Sequence, residues 1–141
     1  MTINCKGTLV DISSPKVMGV LNITPDSFFD GGRYKNDTQI LSQVEKMLTE
    51  GATFIDVGAY SSKPGAIHIS EDEELKRIVP VIDLLLKNFP EIILSIDTFR
   101  SKVAQETIHT GAAIINDISG GKMDNDMFAT VANLKVPYIL M

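Results

Sequence analysis

Short apolar segments alternate with longer amphipathic segments along most of this 141-residue chain. The short segments are nearly unbroken runs of apolar residues, which is typical of strands buried on both faces of a parallel sheet. The longer segments repeat apolar residues every three or four positions, the period of a helix packed on a sheet. The pattern predicts strands at residues 17–21, 53–57, 91–96, 112–115 and 136–141, and helices that begin after Asp37, after Ser70, at Thr98 and at Asp124.

Residues with special backbone preferences mark where these elements begin and end. Gly51 and Gly111 stand where helix-ending glycines are expected, and Ser70 with Glu73 forms a capping box. Pro80 lies inside the second helical pattern, so we expect a bend there. Residues 1–16 differ from the rest and predict a small hairpin that turns at Lys6-Gly7.

The order of elements predicts an α/β fold built from equivalent units. Gly51-Ala52 and Gly111-Ala112 each end a helix and begin a strand that leads to a carboxylate or an amide. This repetition favours a barrel over a doubly wound sheet, and no GxGxxG motif supports a dinucleotide-binding fold. We interpret residues 1–141 as one domain, with the hairpin at 1–16 and barrel units at 17–141.

Polar residues stand at the predicted carboxyl ends of four strands: Asn22, Asp56, Asp97 and Asn116. In a β/α barrel these ends form one mouth, where active sites lie. Each residue taken singly is also explained by a loop contact or a helix cap. Together, two amides and two carboxylates suit recognition of a heterocycle or of a hard cation such as Mg²⁺, and they suit zinc poorly.

Two loops leave this predicted mouth. The first follows Asn22 and carries two adjacent phenylalanines and the pair Gly31-Gly32, which predicts either a flap over a ligand or a turn whose aromatic rings pack on the core. The second, at residues 58–66, offers Ser61, Ser62 and Lys63 as donors, and it is otherwise a solvated turn.

Composition and charge exclude further classes of function. Thirteen basic and eighteen acidic residues leave a net charge of −5, which argues against binding nucleic acid. The sequence shows no apolar run long enough to cross a membrane and no apolar signal segment at its start, and Cys5 is the only cysteine. We therefore expect a cytoplasmic protein in which Cys5 is a packed residue. His68 and His109 receive no catalytic role.

Four motifs resemble the dihydropteroate synthase family in the expected order: MGVLNITPDSFFDGG, IDVGAYSSKPGA, LSIDTFRSKVA and GAAIINDISGG. The resemblance implies a (β/α)8 TIM barrel that joins 4-aminobenzoate to a dihydropterin methyl diphosphate and releases diphosphate. It also implies a homodimer and a target of sulfonamides. A barrel of this kind needs about 250 residues, so we expect the 141-residue chain to be inactive by itself.

The resemblance also implies roles for single residues. Asn22 would bind Mg²⁺, and Asp97 and Asn116 would hydrogen-bond the pterin ring. Asp56 would lie beside the first loop and belong to the residues that bind the pterin diphosphate, in a role that the resemblance does not define. The remaining residues would line the two loops that cover the diphosphate and aminobenzoate, namely Asp26, Ser27 and Phe28 in the first and Ser61, Ser62, Lys63 and Pro64 in the second.

The second loop departs from the usual family pattern, because Tyr60, Ser62 and Lys63 stand where the resemblance predicts Glu, Thr and Arg. Lysine lacks the planar fork of arginine, so we do not expect Lys63 to make a bidentate contact with aminobenzoate or a sulfonamide. Two alternatives stay open. One is the pterin-binding barrel of folate- or corrinoid-dependent methyltransferases, and the other is a half barrel that binds ligand weakly or assembles with a partner chain.

Overall fold

The computed structural model describes residues 1–23, 29–30, 33–34 and 37–141. Nine strands and four helices occur in these ranges. The strands are β1 (Thr2–Cys5), β2 (Thr8–Asp11), β3 (Val17–Asn22), β4 (Phe29–Asp30), β5 (Arg33–Tyr34), β6 (Ala52–Gly58), β7 (Leu94–Asp97), β8 (Ile114–Asp117) and β9 (Tyr138–Leu140). The helices are α1 (Asp37–Thr49), α2 (Glu71–Asn88), α3 (Ser101–Thr110) and α4 (Met127–Leu134).

The main sheet has five parallel strands in the order β3-β6-β7-β8-β9. Each strand therefore pairs with the next one along the chain, and one helix connects every neighbouring pair. A doubly wound sheet reverses its strand order at a switch point, and this sheet does not. The predicted α/β class and the parallel arrangement are confirmed.

The sheet has two differently packed faces, because successive side chains of a strand point to opposite sides. The outer face packs on the helices through fully buried residues such as Leu21, Ile55 and Ile96. The inner face packs near the amino ends of the strands on the β1–β2 hairpin, where Phe54 and Ile114 join Cys5 and Val10. Further along the same strands the inner face becomes polar.

The N-terminal hairpin forms as the sequence predicts. β1 and β2 pair antiparallel around Lys6 and Gly7, which both have positive φ values of 51° and 89°. Two successive residues in this conformation suit a tight hairpin turn. Cys5 is buried, and this burial raises the pKa of its thiol, which makes it a packed residue and a poor nucleophile.

Some helix boundaries differ from the predicted ones because a side chain forms hydrogen bonds with backbone N–H groups at the predicted start of the helix. The helix predicted from Thr98 begins at Ser101, whose N–H donates to the Asp124 carboxylate at 2.7 Å. The helix predicted from Asp124 begins at Met127, since the same carboxylate also accepts from Asp126 N. β7 covers Leu94–Asp97, whereas we predicted residues 91–96.

α2 continues through Pro80, which lies on the exposed side of the helix. In the stretch predicted as a flap, β4 and β5 form a two-residue antiparallel pair. Across the described ranges, every helix is too short or too polar to cross a lipid bilayer.

Candidate functional site

Three of the predicted polar residues share one row across the sheet. Asn22 lies opposite Gly58, Gly58 opposite Asp97, and Asp97 opposite Asn116. Residues that are partners in neighbouring parallel strands point to the same face. Asn116 is two residues after Ile114, which packs on the inner face, so the whole row faces inward. The predicted convergence of these three strand ends is confirmed by the register.

Asp56 does not lie in this row, although we placed it at a strand end like the other three. Its register partners are Val20 and Ser95, one inner-face position deeper. The reason is that β6 continues to Gly58, which takes the row position next to Asp97. A Cβ added at Gly58 would lie 3.2 Å from Asp97 Oδ2, so glycine leaves room for the carboxyl.

Asp56 nevertheless forms a hydrogen bond with a residue of the row, although it lies one inner-face position deeper. Asn116 Nδ2 donates to Asp56 Oδ2 at 3.1 Å, although 60 residues separate them and β7 lies between their strands. Three buried atoms on this face have no hydrogen-bond partner in the described part of the chain: Asp56 Oδ1, Ser95 Oγ and Asn116 Oδ1. Unsatisfied buried polar atoms are rare and costly, so their clustering on one face indicates a ligand site.

Asp97 carries the only carboxyl in the row, and the pKa of that carboxyl is strongly raised. Burial, together with the negative charges of Asp56, Glu74 and Asp117, raises its pKa from 3.8 to about 7. Near neutral pH this group therefore interconverts between a carboxylic acid, which donates a hydrogen bond, and a carboxylate, which only accepts. Strong perturbation of an acid at the carboxyl end of a barrel strand is a mark of a functional site.

Ser95 is the functional candidate that sequence reasoning missed. It is fully buried on the inner face of β7, and Asp97 follows it two residues later on the same face. We predicted residues 91–96 as one of the nearly continuous apolar strands, and this interpretation hid the polar alternation of Ser95 and Asp97. That two-residue spacing was the available signal.

A second polar cluster lies behind the row and connects β7 to α2. Glu74 is fully buried and accepts from Thr98 Oγ1 at 2.7 Å and from Arg100 Nη1 at 2.7 Å. Arg100 Nη2 also donates to the Ile69 carbonyl at 2.7 Å. Burial raises the pKa of Glu74, and the bonds from Thr98 and Arg100 oppose that rise. This cluster holds the start of α2 against the end of β7.

The second loop begins at the end of β6, beside Asp97. Ser61 is half-buried, whereas Ser62, Lys63 and Pro64 are exposed. The Lys63 N–H donates to Ser61 Oγ at 3.4 Å, and the Lys63 carbonyl accepts from Ala66 N at 3.1 Å. This local turn leaves the lysine side chain at the surface, where it is available to an anion.

Tyr60 attaches this loop to the rest of the molecule. Its ring packs edge-on against Phe99, with centroids 5.1 Å apart, and the Arg100 guanidinium lies 5.4 Å from its centroid. Its hydroxyl lies 2.6 Å from His68 Nδ1. His68, to which we assigned no catalytic role, thus contacts the loop from its far end. His109 is exposed in the last turn of α3.

Asp26, Ser27 and Phe28, predicted for the first loop, lie outside the described residues. Asn22, at the edge of the row, is exposed. Its carboxamide oxygen is a hard ligand that fits Mg²⁺ held mainly by phosphate oxygens and water. In residues 1–23, 29–30, 33–34 and 37–141, no three His, Cys, Asp or Glu side chains are placed to share a metal ion.

Comparison with known proteins finds that this chain is similar to pterin-binding enzymes and to proteins of folic acid synthesis. A family model described as pterin binding enzyme matches residues 18–141. The folic acid synthesis protein fol1 of Pneumocystis carinii is 51% identical over 125 residues, which cover 89% of this chain and 17% of that protein. The dihydropteroate synthase of Bacillus subtilis is 46% identical over 125 residues, which cover 89% of this chain and 44% of that protein.

Solved structures show the same relationship. Dihydropteroate synthase of Xanthomonas albilineans with 4-aminobenzoic acid superposes with a TM-score of 0.89 at 36% identity, covering 99% of this chain and 51% of that one. Dihydropteroate synthase of Yersinia pestis with a sulfonamide drug superposes with a TM-score of 0.84 at 43% identity, covering 98% and 50%. The chain therefore spans about half the length of these structures. The prediction that it forms part of a (β/α)8 TIM barrel, with four βα units and a fifth strand, is confirmed.

Proposed function

The chain belongs to the family of pterin-binding enzymes, and from this premise we propose that it carries the pterin-recognising strands of a dihydropteroate synthase. The proposed reaction joins 4-aminobenzoate to the methylene carbon of a dihydropterin methyl diphosphate and releases diphosphate. The observation that carries this proposal is the group of buried polar atoms beside Asp97, on the inner face of the sheet, that have no hydrogen-bond partner within the part of the chain that the structure describes.

The pterin ring is the part of the substrate that this group fits. Its aminopyrimidinone edge presents adjacent N–H donors, and Asn116 Oδ1 is a buried acceptor that has no partner among the described residues. Asp97, whose pKa is about 7, accepts or donates according to its protonation state. We assign Asp97 and Asn116 to hydrogen bonds with the ring, and Asp56 supports them from the deeper position.

The diphosphate and the aminobenzoate are assigned to the two loops. Lys63 and the hydroxyls of Ser61 and Ser62 supply donors for oxygen anions, and Pro64 shapes the turn that presents them. The resemblance assigns Asp26, Ser27 and Phe28 to the first loop. When Mg²⁺ is bound, it stabilises the negative charge of the leaving diphosphate, and Asn22 would be its protein ligand.

No residue needs to attack the substrate in this mechanism. The electron-rich pterin stabilises positive charge at its methylene carbon as the bond to diphosphate breaks. The neutral amine of aminobenzoate then forms the new C–N bond, and the proton that it loses passes to the departing diphosphate. A carbon of this reactivity must be kept from water, which is the role that we assign to closure of the loops. The chain's own contribution is to bind the ring, orient the methylene carbon and exclude water.

Calorimetric titration with a dihydropterin methyl diphosphate tests the proposal, because it measures binding of the pterin and does not depend on catalytic turnover. We expect binding that strengthens when Mg²⁺ is added. We expect Asn116→Ala to weaken it at least tenfold, an effect equivalent to one lost hydrogen bond. Asn125→Ala, the same change at an exposed position, is the control and should bind like wild type.

Other results have distinct meanings. Pterin binding that is indifferent to the diphosphate and to Mg²⁺ would indicate the methyltransferase class of pterin-binding barrels. Absence of any pterin binding would contradict the assignment for this chain. Displacement of 4-aminobenzoate by a sulfonamide would support the second-loop assignment, since the two compounds have similar shapes.

Assembly and location belong to the same proposal. We expect a homodimer, as the family resemblance implies, and sedimentation equilibrium at micromolar concentration measures it. A cytoplasmic location is consistent with the single, buried Cys5, and cell fractionation tests it.

A further inference from the structure

The bond between Asn116 and Asp56 determines which way the Asn116 amide faces. A carboxamide has a donor end, Nδ2, and an acceptor end, Oδ1, which are nearly equal in size. Here Nδ2 points to Asp56 Oδ2 at 3.1 Å, and Oδ1 is buried without a partner in the described part of the chain. The amide therefore turns its acceptor toward the ligand site.

Asp56 is suited to impose this orientation. A carboxylate offers only acceptors, so it attracts the NH₂ end of the neighbouring amide and repels the oxygen end. Asp56 is 5% exposed, which leaves little water to compensate for a reversed amide. It also lies one inner-face position below the row, out of the first contact with a ligand at the mouth.

We propose that Asp56 is a positioning residue, which holds Asn116 so that Oδ1 accepts a hydrogen bond from a ring N–H of the pterin. This inference rests on the proposed function for the identity of the ligand. It gives Asp56 a role that neither its position in the sequence nor the family resemblance defines. A purely structural Asp56 would support packing without affecting the direction of the Asn116 amide.

The variant Asp56→Asn separates these two roles, because an amide at position 56 can face Asn116 with either its oxygen or its nitrogen. The first measurement is the pair of Asn116 side-chain NH₂ signals in a ¹H–¹⁵N NMR spectrum, assigned by their loss in Asn116→Asp. We expect them to shift in Asp56→Asn. Binding of the dihydropterin methyl diphosphate should weaken about tenfold, the equivalent of one poorly formed hydrogen bond.

Asp83→Asn is the matched control, since it makes the same chemical change on the exposed side of α2. It should leave both the Asn116 signals and the affinity unchanged. If Asp56→Asn also leaves both unchanged, Asp56 is not a positioning residue. If wild type binds no pterin, the proposed function fails, while the NMR signals still decide whether Asp56 orients Asn116.

A second variant keeps the test valid if Asp56→Asn folds poorly. In the double change Asp56→Asn with Asn116→Asp, the donor and the acceptor exchange places and the hydrogen bond is retained. Position 116 is then an acceptor for any ligand, whatever its neighbour does. We expect affinity within about threefold of wild type, and a loss as large as that of Asn116→Ala in a folded double variant would overturn the proposal.

Discussion

Two buried acidic clusters lie on either side of a single peptide bond, and they differ in how well they are satisfied. Asp97 faces the inner side of the sheet among Asp56, Ser95 and Asn116, each of which has a buried atom without a partner in the described residues. The next residue, Thr98, donates to Glu74, which Arg100 also contacts. We call these the inner cluster and the outer cluster.

The difference separates binding from stability. In the outer cluster, each Glu74 oxygen has a donor at 2.7 Å. These hydrogen bonds offset part of the desolvation cost of burying the carboxylate. In the inner cluster, polar atoms are buried and left to interact with something that is not part of the described chain. Proteins tolerate such groups mainly where a ligand completes them, which is why we place the pterin there.

The largest effect should come from breaking the outer cluster. Arg100→Leu leaves the Glu74 carboxylate buried without its cation, and we expect a loss of about 3–5 kcal/mol in the free energy of unfolding. Urea denaturation measures it. Glu73→Gln breaks the partly exposed pair with Arg77 and should cost about 1 kcal/mol or less. Equal losses in the two variants would mean that the outer cluster is not a structural one.

The inner cluster should respond in the opposite direction. Because the pKa of Asp97 is raised, the folded state binds a proton more tightly than the unfolded state does. Wild type should therefore lose stability as pH rises from about 4 to about 7, and remain level above that. Asp97→Asn should remove this loss and weaken pterin binding.

The expected gain for Asp97→Asn at pH 8 is about 2 kcal/mol, since one pKa unit corresponds to about 1.4 kcal/mol and partial exposure weakens the effect. At pH 4 the variant and wild type should unfold at nearly the same urea concentration. A variant that is less stable than wild type at pH 8 would show that the ionised Asp97 carboxylate stabilises the fold.

Two buried hydroxyls on either side of Asp97 provide a matched pair. Thr98→Val removes one donor to Glu74 and the acceptor for the backbone N–H of Arg100. We therefore expect a loss of about 1.5 kcal/mol in the free energy of unfolding. Ser95→Ala removes a hydroxyl that has no partner in the described residues, and stability should stay within about 0.5 kcal/mol of wild type or rise. Thermal unfolding compares them, and the reverse order would contradict the assignment of the two clusters.

The smallest effect concerns the connection of the outer cluster to the second loop. Tyr60→Phe retains the contacts with Phe99 and Arg100 but loses the bond to His68. We expect less than about 1 kcal/mol in global stability, with faster amide hydrogen exchange confined to residues 61–69. Tyr60→Ala should accelerate this exchange further. Exchange that is unchanged in both variants would show that Tyr60 does not hold the loop.

Much of this architecture was readable from the sequence, and the failures have physical causes. The order and the approximate positions of the predicted helices and strands are right, because their periods follow directly from which face of each element is buried. The starts of α3 and α4 were wrong because the Asp124 carboxylate accepts from Ser101 N, 23 residues away, and from Asp126 N, two residues away. Ser95 was missed because a single hydroxyl within an apolar strand is a weak pattern.

Local pattern determined the strand–helix order, the hairpin turn at Lys6-Gly7 and the presence of polar residues near the strand ends. Only the tertiary structure decided which of those residues meet. The parallel register put Asn22, Asp97 and Asn116 in one row, and the extra length of β6 put Asp56 below it. A one-residue change of register would turn each side chain to the opposite face, so residue types alone could not determine the Asp56–Asn116 bond.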